Sequence, residues 1–243
     1  MKNIKQYILQ IFNIDSEIKE ELEFTSECNK TIKMVGFATN LTPEVIEIAK
    51  KTSVDLIITH HDAWTFLYGM KDYCRRKLDE YKINHLFAHL PLDAADFGTN
   101  QSFISKLGAN SIEKCVNESG YYCGRIAEFE TAIEFEELHN RIEQICDEKV
   151  FHWKNSNKKI KRIGVVTGAG VSTSYISEMN EMKCDAYITG EHTLYSIMYA
   201  QYIGINMFAA SHTYTEIHGV ESLAKILGDR FKLQVQQINE PHW

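Results

Sequence analysis

Val54-Asp55-Leu56-Ile57-Ile58-Thr59-His60-His61 decides the fold class of this chain. An apolar, β-branched run of this length, closed by polar residues, reads as a buried strand. The same shape recurs at Asp185-Ala186-Tyr187-Ile188-Thr189-Gly190-Glu191, which aligns with Asp55 to His61 without a gap. A second correspondence follows each of these. Ile83-Asn84, an apolar strand and His89-x-x-x-Asp93 match Ile205-Asn206, an apolar strand and His212-x-x-x-Glu216. Both stretches run on into a helix that ends in Leu-Gly, at Leu107-Gly108 and Leu227-Gly228. Three aligned segments in one order indicate duplication of an α/β unit, and the two copies are expected to face each other across a shared cleft.

The remaining punctuation agrees. Lys33 to Ala38 reads as a strand, and Thr42-Pro43-Glu44 opens a helix with a threonine N-cap, proline at the first position and an acidic first turn. Beyond the polar linker Asn155 to Lys159, strands over 162–166, 186–189, 206–210 and 232–236 alternate with helical segments. Strands spaced by helices predict βα units and a largely parallel sheet. The expected halves are residues 1–125 and 126–243, interdigitated or forming one compact unit.

Composition narrows the function. The chain has 243 residues and a net charge of -7, so general affinity for nucleic acid or for an anionic membrane surface is not expected. No stretch approaches the apolar length of a membrane span, and the first residues lack a secretory leader's apolar core. The six cysteines are far apart, with no Cys-x-x-Cys, and read as reduced thiols of a cytoplasmic protein.

The chemistry is concentrated where strands end. His60 and His61, His89 with Asp93, and His212 with Glu216 each follow an apolar run. In open α/β sheets sites form outside the carboxyl ends of the strands. Imidazoles and carboxylates gathered there suit divalent metal, and a carboxylate can bridge two ions that activate water. Each pattern has a plainer reading as a hydrogen-bonded or solvated polar pair. Their common placement after strands favours the site. His89 reads as a ligand, as a group orienting Asp93 or as a packed polar residue, the second being favoured, and Glu191 and His192 as residues lining the same cleft. The loop Thr167-Gly168-Ala169-Gly170-Val171-Ser172 between strand and helix could offer amides to a phosphate. The competing reading is a tight turn that needs glycine for packing, and the loop matches neither nucleotide-binding fingerprint.

With these residues assembled, the chain resembles the GTP cyclohydrolase I type 2 homologues, also called NIF-three-like dinuclear-metal proteins. The resemblance rests on Ile57 to His61, on His89-Leu90-Pro91-Leu92-Asp93 with Gly98-x-Asn100, on Gly168-Ala169-Gly170, on Asp185 to Glu191 and on His212 to Glu216. It implies two divalent ions (zinc, iron or manganese) held by His60, His61, Asp93, His212 and Glu216, with Glu216 as the bridge. It also implies a homohexameric ring and hydrolysis of a nucleotide or related small molecule, GTP ring opening being one candidate. A non-catalytic metal-binding ring that works through protein partners is the alternative. With the ligands committed to metal, the proton donor is sought at Glu191, His192 or His89, with Glu191 favoured. The chain departs from the family at Asp62-Ala63-Trp64, where proline usually follows the histidine pair, and at Ser211, where glycine usually precedes the histidine. The family's N-terminal Asp-Asn-x-Gly-Leu segment is not recognisable near Lys19 to Glu23.

Overall fold

A computed structural model describes residues 2–13, 21–28 and 31–241, so part of the region around Lys19 lies outside the described residues. The chain forms two compact units, Met1–Phe97 with Val220–Pro241, and Gly98–Gly219. This differs from a division at residue 125. The reason is pairing: the hairpin that spans residue 118 belongs wholly to the second sheet, and the last strand returns to the first.

In unit 1 the elements run α1 (Lys2–Ile11), β1 (Leu22–Ser26), β2 (Met34–Asn40), α2 (Pro43–Lys51), β3 (Leu56–His61), α3 (Met70–Tyr81), β4 (Asn84–Ala88) and α4 (Leu90–Ala94). Unit 2 follows with α5 (Thr99–Leu107), β5 (Asn110–Glu118), β6 (Tyr121–Ile133), α6 (Phe135–Cys146), β7 (Phe151–Trp153), β8 (Ile160–Val166), α7 (Thr173–Glu181), β9 (Ala186–Thr189), α8 (Leu194–Ile203) and β10 (Asn206–Ala209). The helix α9 (His212–Phe231) begins in unit 2 and its residues from Val220 onward belong to unit 1, as does β11 (Gln234–Gln237).

The first sheet has the order β1-β4-β3-β2-β11 and the second β5-β6-β8-β9-β10-β7. A parallel core of β2, β3 and β4 in one matches β8, β9 and β10 in the other. Each core is flanked by an antiparallel edge strand, β1 on β4 and β7 on β10. The second sheet also carries the antiparallel pairs β5–β6 and β6–β8. The first sheet, in which β11 also runs parallel to β2, is thus largely parallel as expected, and the second is mixed.

Side chains alternate across the second sheet as the pleat requires. Ile163, Val165, Ala186, Ile188 and Phe208 pack with α5 and α6, whereas Val166, Tyr187 and Met207 pack with α7 and α8. In the first sheet Ala38 and Ile57 pack on Val45, Ile46 and Ala49 of α2 and on Cys74 and Leu78 of α3. The cap read at Thr42 is present: its hydroxyl accepts from Val45 N at 3.2 Å, with Pro43 opening the helix. All six cysteines are thiols, none of them in a disulfide. Among the described residues no helix is long and apolar enough to cross a membrane.

The duplication is visible in hydrogen bonds internal to each unit. The Asp55 carboxylate accepts from two successive amides entering β2, Lys33 N at 2.8 Å and Met34 N at 3.1 Å. Asp185 does the same for Lys161 N and Arg162 N entering β8, both at 2.9 Å. Asn84 donates to Asp55 O and accepts from Cys28 N, while Asn206 donates to Asp185 O and accepts from Asn155 N and Ser156 N. One aspartate and one asparagine thus fasten the entrance of each parallel core. Hydrogen bonds to a charged group contribute about 1.5–3 kcal/mol. Asp55→Ala and Asp185→Ala are each expected to lower unfolding free energy by about 2–3 kcal/mol on that scale. Urea unfolding measures it, and a loss below about 0.5 kcal/mol in either variant would count against the shared role.

A second network crosses the first sheet. His85, fully buried in β4, lies between two hydroxyls, with Thr25 Oγ1 at Nδ1 and Thr59 Oγ1 at Nε2, 2.8 Å away. Thr59 donates its own proton to His61 O at 2.7 Å, so it must accept from His85. Burial holds the His85 imidazole neutral, its pKa lowered to about 3, with Asp62 raising it slightly and Arg75 opposing. The folded-state pKa lies below the unfolded value, so this contribution is complete above about pH 6.5 and is lost as pH falls from there towards 3. Unfolding free energy of the native protein should therefore fall up to about 1.4 kcal/mol per pH unit faster than that of His85→Gln between pH 6 and 4. Parallel slopes for the two proteins in pH-dependent denaturation would sink this account.

Candidate metal centre

In unit 1 the chain turns at the end of β3, and His60 and His61 both lie at the carboxyl end of the sheet. Both are buried. Each imidazole is anchored through Nδ1, His60 on Ala88 O at 2.8 Å and His61 on Asn40 Oδ1 at 2.8 Å. A carbonyl oxygen only accepts, so Nδ1 carries the proton and Nε2 keeps its lone pair. The Nε2 of His60 faces the Asp93 carboxylate at 3.4 Å. Asp93 sits in α4, one helical turn from His89, whose carbonyl accepts its amide at 3.2 Å.

His89 is closer to the histidine pair than the sequence suggests. Its ring centroid is 4.9 Å from that of His60 and 5.3 Å from that of His61. One ring nitrogen of each of the three histidines lies within 4.8 Å of the others, a spacing that suits a shared ion. His89 Nδ1 is hydrogen-bonded to Glu21 Oε2 at 2.5 Å, so the carboxylate it pairs with through Nδ1 is Glu21 rather than Asp93. Glu21 and Asn40 were not legible as site residues. Each comes from a different strand neighbourhood, and nothing in its local sequence marks it.

The departures after the histidine pair also have partners. Asp62 Oδ2 accepts from Lys71 Nζ at 3.0 Å and Arg75 Nη2 at 2.8 Å, which ties the turn after β3 to α3. Trp64 lies on His61, with ring centroids 4.5 Å apart, and stacks on the exposed Phe66 at 5.2 Å.

In unit 2, α9 starts at His212, whereas the sequence pattern predicts a helix over 216–227. Ser211 explains the early start: its hydroxyl accepts from Tyr214 N at 3.2 Å, as an N-cap does, where glycine has no side chain to offer. His212 and Glu216 therefore share the first turns of one helix face. His212 Nδ1 is hydrogen-bonded to Glu191 Oε1 at 2.6 Å, and its Nε2 lies 3.3 Å from Glu216 Oε1. Burial alone would lower the His212 pKa, but the charges and hydrogen bonds of Glu216 and Glu191 outweigh it and push it up to about 10. An imidazole between two carboxylates is a setting that stabilises positive charge. The hydrogen bond from His212 holds the half-exposed Glu191 carboxyl below its ordinary value. His192, the neighbour of Glu191, packs instead on Phe151 and Trp153, with centroids 4.8 and 5.1 Å away.

The glycine loop is a wall of this half-site. Gly168 has a φ of +69°, and a β-carbon there would lie 1.9 Å from Glu216 Oε1 and 2.9 Å from His212 Nε2. Its amide donates to Thr215 Oγ1, Thr167 N to Asn100 Oδ1 and Gly170 N to Thr189 Oγ1, each at 3.0 Å. Val171 N donates to Ala169 O. These amides are spent inside the protein, which favours the tight-turn reading over a phosphate cradle.

The residues fit a divalent ion on two counts. Three imidazoles are oriented through Nδ1 by an acceptor, the arrangement usual for metal-ligating histidine, and carboxylates face the Nε2 side of His60 and His212.

Comparison with known proteins identifies the family. Residues 23–242 match the family model described as Duf34/NIF3 (NGG1p interacting factor 3). A Yersinia pestis protein named GTP cyclohydrolase 1 type 2 homolog is 27% identical over 223 residues, 89% of this chain and 87% of its own length. A Pyrococcus horikoshii protein of the same name is 28% identical over 221 residues, covering 88% and 87%. The solved structure of protein ybgI superposes with a TM-score of 0.87 at 24% identity, covering 99% of this chain and 98% of that one. Reduced HcgD from Methanocaldococcus jannaschii gives 0.81 at 24% identity, covering 98% and 97%. These structures share the fold, and the match over residues 23–242 settles the family: the chain belongs to the Duf34/NIF3 family.

Proposed function

We propose that this protein is a dinuclear, metal-dependent hydrolase of a nucleotide or related small molecule, with a GTP cyclohydrolase-like ring opening as the first reaction to test. The proposed ligands are His60, His61, Asp93, His212 and Glu216, with Glu216 as the shared carboxylate. The observation that carries the reading is the anchoring of imidazoles through Nδ1 with carboxylates facing Nε2, seen separately in each unit. Divalent ions held there would polarise the electrophilic carbon and make water acidic enough to attack near neutrality. Zinc, iron and manganese all suit this donor set.

The protein's own groups then divide the remaining work. Glu191, favoured on sequence as the proton donor, is hydrogen-bonded to His212 and held towards its ionised form, so we assign it to orienting that imidazole. His89 becomes the leading proton-transfer group: its ring is partly exposed, lies beside His60 and His61, and is backed by Glu21. His192 is the second candidate. We further propose a cytoplasmic homohexamer. A non-catalytic ring acting through protein partners is favoured by a different observation, the apolar residues Leu194, Tyr195, Met198 and Tyr202 left exposed on α8.

Elemental analysis of the purified protein should find about two divalent ions per chain. Glu216→Ala should lose most of both and His61→Ala mainly one; full occupancy in Glu216→Ala would remove Glu216 as the bridge. Turnover on a nucleotide panel that includes GTP should vanish on chelation and return with metal. A metal-loaded protein inert across the panel would favour the partner-binding ring.

Gly168→Ala tests the wall of the half-site. The added methyl has no room beside Glu216, so metal content should fall sharply while the circular dichroism of the folded protein is retained. Unchanged metal content would show that Glu216 can retreat without loss of binding.

A further inference from the structure

His60 and His61 are oriented by different kinds of acceptor. His60 Nδ1 meets a main-chain carbonyl, which can only accept. His61 Nδ1 meets the side-chain amide of Asn40, which has an accepting end and a donating end. Turned over, that amide would present its NH2 to the imidazole. It would then demand a lone pair at Nδ1 and move the proton to Nε2.

What fixes the amide lies on its far side. Asn40 Nδ2 donates to Glu240 Oε1 at 2.8 Å. A carboxylate only accepts, so the NH2 end of Asn40 must face Glu240 and its oxygen must face His61. Glu240 is itself buried and fixed, accepting from Thr39 N at 2.5 Å and from Asn40 N at 3.1 Å. It stands just beyond β11, some 180 residues after His61, with nothing in its local sequence to connect the two. A buried carboxylate costs desolvation that a neutral side chain would avoid. What it supplies in return is a surround of one polarity. Glutamine at this position would have to turn an NH2 group towards at least one of three N–H donors.

We propose that Glu240 is a positioning residue for His61: through the Asn40 amide it dictates which imidazole nitrogen carries the proton, and so keeps Nε2 as the electron-pair donor for a divalent cation. This rests on the reading of His61 as a metal ligand. The chain of polarity runs from carboxylate to amide to imidazole, and each link is a hydrogen bond within unit 1.

The test measures zinc affinity by competition with a chromophoric chelator, and reads the His61 tautomer from imidazole nitrogen shifts in the metal-free protein. Glu240→Gln should bind zinc about 10- to 100-fold more weakly, the usual cost of losing an outer-shell partner. Its His61 should pass from a single Nδ1–H form to a mixture. Adding Asn40→Asp to Glu240→Gln should restore both, because an accept-only group then faces His61 whatever residue 240 presents. A purely structural role for Glu240 would not be rescued by a change at residue 40. Wild-type affinity and tautomer in Glu240→Gln, or a double variant no tighter than Glu240→Gln, would overturn the proposal. Should Glu240→Gln not fold, Glu240→Ala removes the acceptor and carries the same expectation. His61→Ala separates the two readings. Unchanged zinc affinity there would overturn His61 as a ligand, and the tautomer measurement, which needs no metal, would still decide the role of Glu240.

Discussion

Two aspartates set the frame on which everything else is hung. Asp55 and Asp185 each bind two successive amides at the start of the strand beside them. This fixes the register of β2 on β3 and of β8 on β9 at the amino ends of the strands. Because strand register has a period of two, a slip of one residue would turn every side chain to the opposite face. The placement of His60 and His61 at one sheet's carboxyl end, and of Thr189 at the other's, follows from that fastening four to six residues earlier.

From there the structure settles a single question repeatedly: which nitrogen of an imidazole carries its proton. His85 is settled by two threonines, His60 by a main-chain carbonyl and His61 by an amide, whereas His212 has a carboxylate at each nitrogen. Thr59 connects the first to the third, since it accepts from His85 and donates to the carbonyl of His61. Imidazoles are useful ligands only when neutral and correctly oriented. In unit 1 the surroundings of the histidines supply acceptors rather than cations.

Much of this was legible in the sequence because the signals are local. The parallel strands announce themselves as apolar runs, the α2 cap as Thr-Pro-Glu, and the duplication as paired Asp and Asn residues at matched offsets. The segment from Tyr121 reads as β-like and is β6, whereas three other antiparallel strands were missed for an equally local reason. Leu22–Ser26 and Phe151–Trp153 are short and take their extended form from pairing with β4 and β10, and Asn110–Glu118 is held by its hairpin with β6. The supports of the site were missed for the opposite reason. Glu21, Asn40 and Glu240 come from separate segments that meet only once the first sheet is built, and none lies in a motif. His212 stood out by its spacing to Glu216, yet its partner Glu191 was read as a proton donor because sequence distance says nothing of which atom faces which.

Gly168 bears on time rather than on affinity. The backbone of Gly168 stands against one oxygen of Glu216, and Glu216 is 3% exposed. A ligand that must swing aside to release an ion has no direction to swing where packed main chain already stands, since close-packed interiors do not deform continuously. An ion held against such a wall would leave on the slow clock of local unfolding rather than the fast clock of side-chain rotation. Retention through purification and storage would then reflect a barrier, and a modest equilibrium constant could accompany an ion that exchanges only over hours.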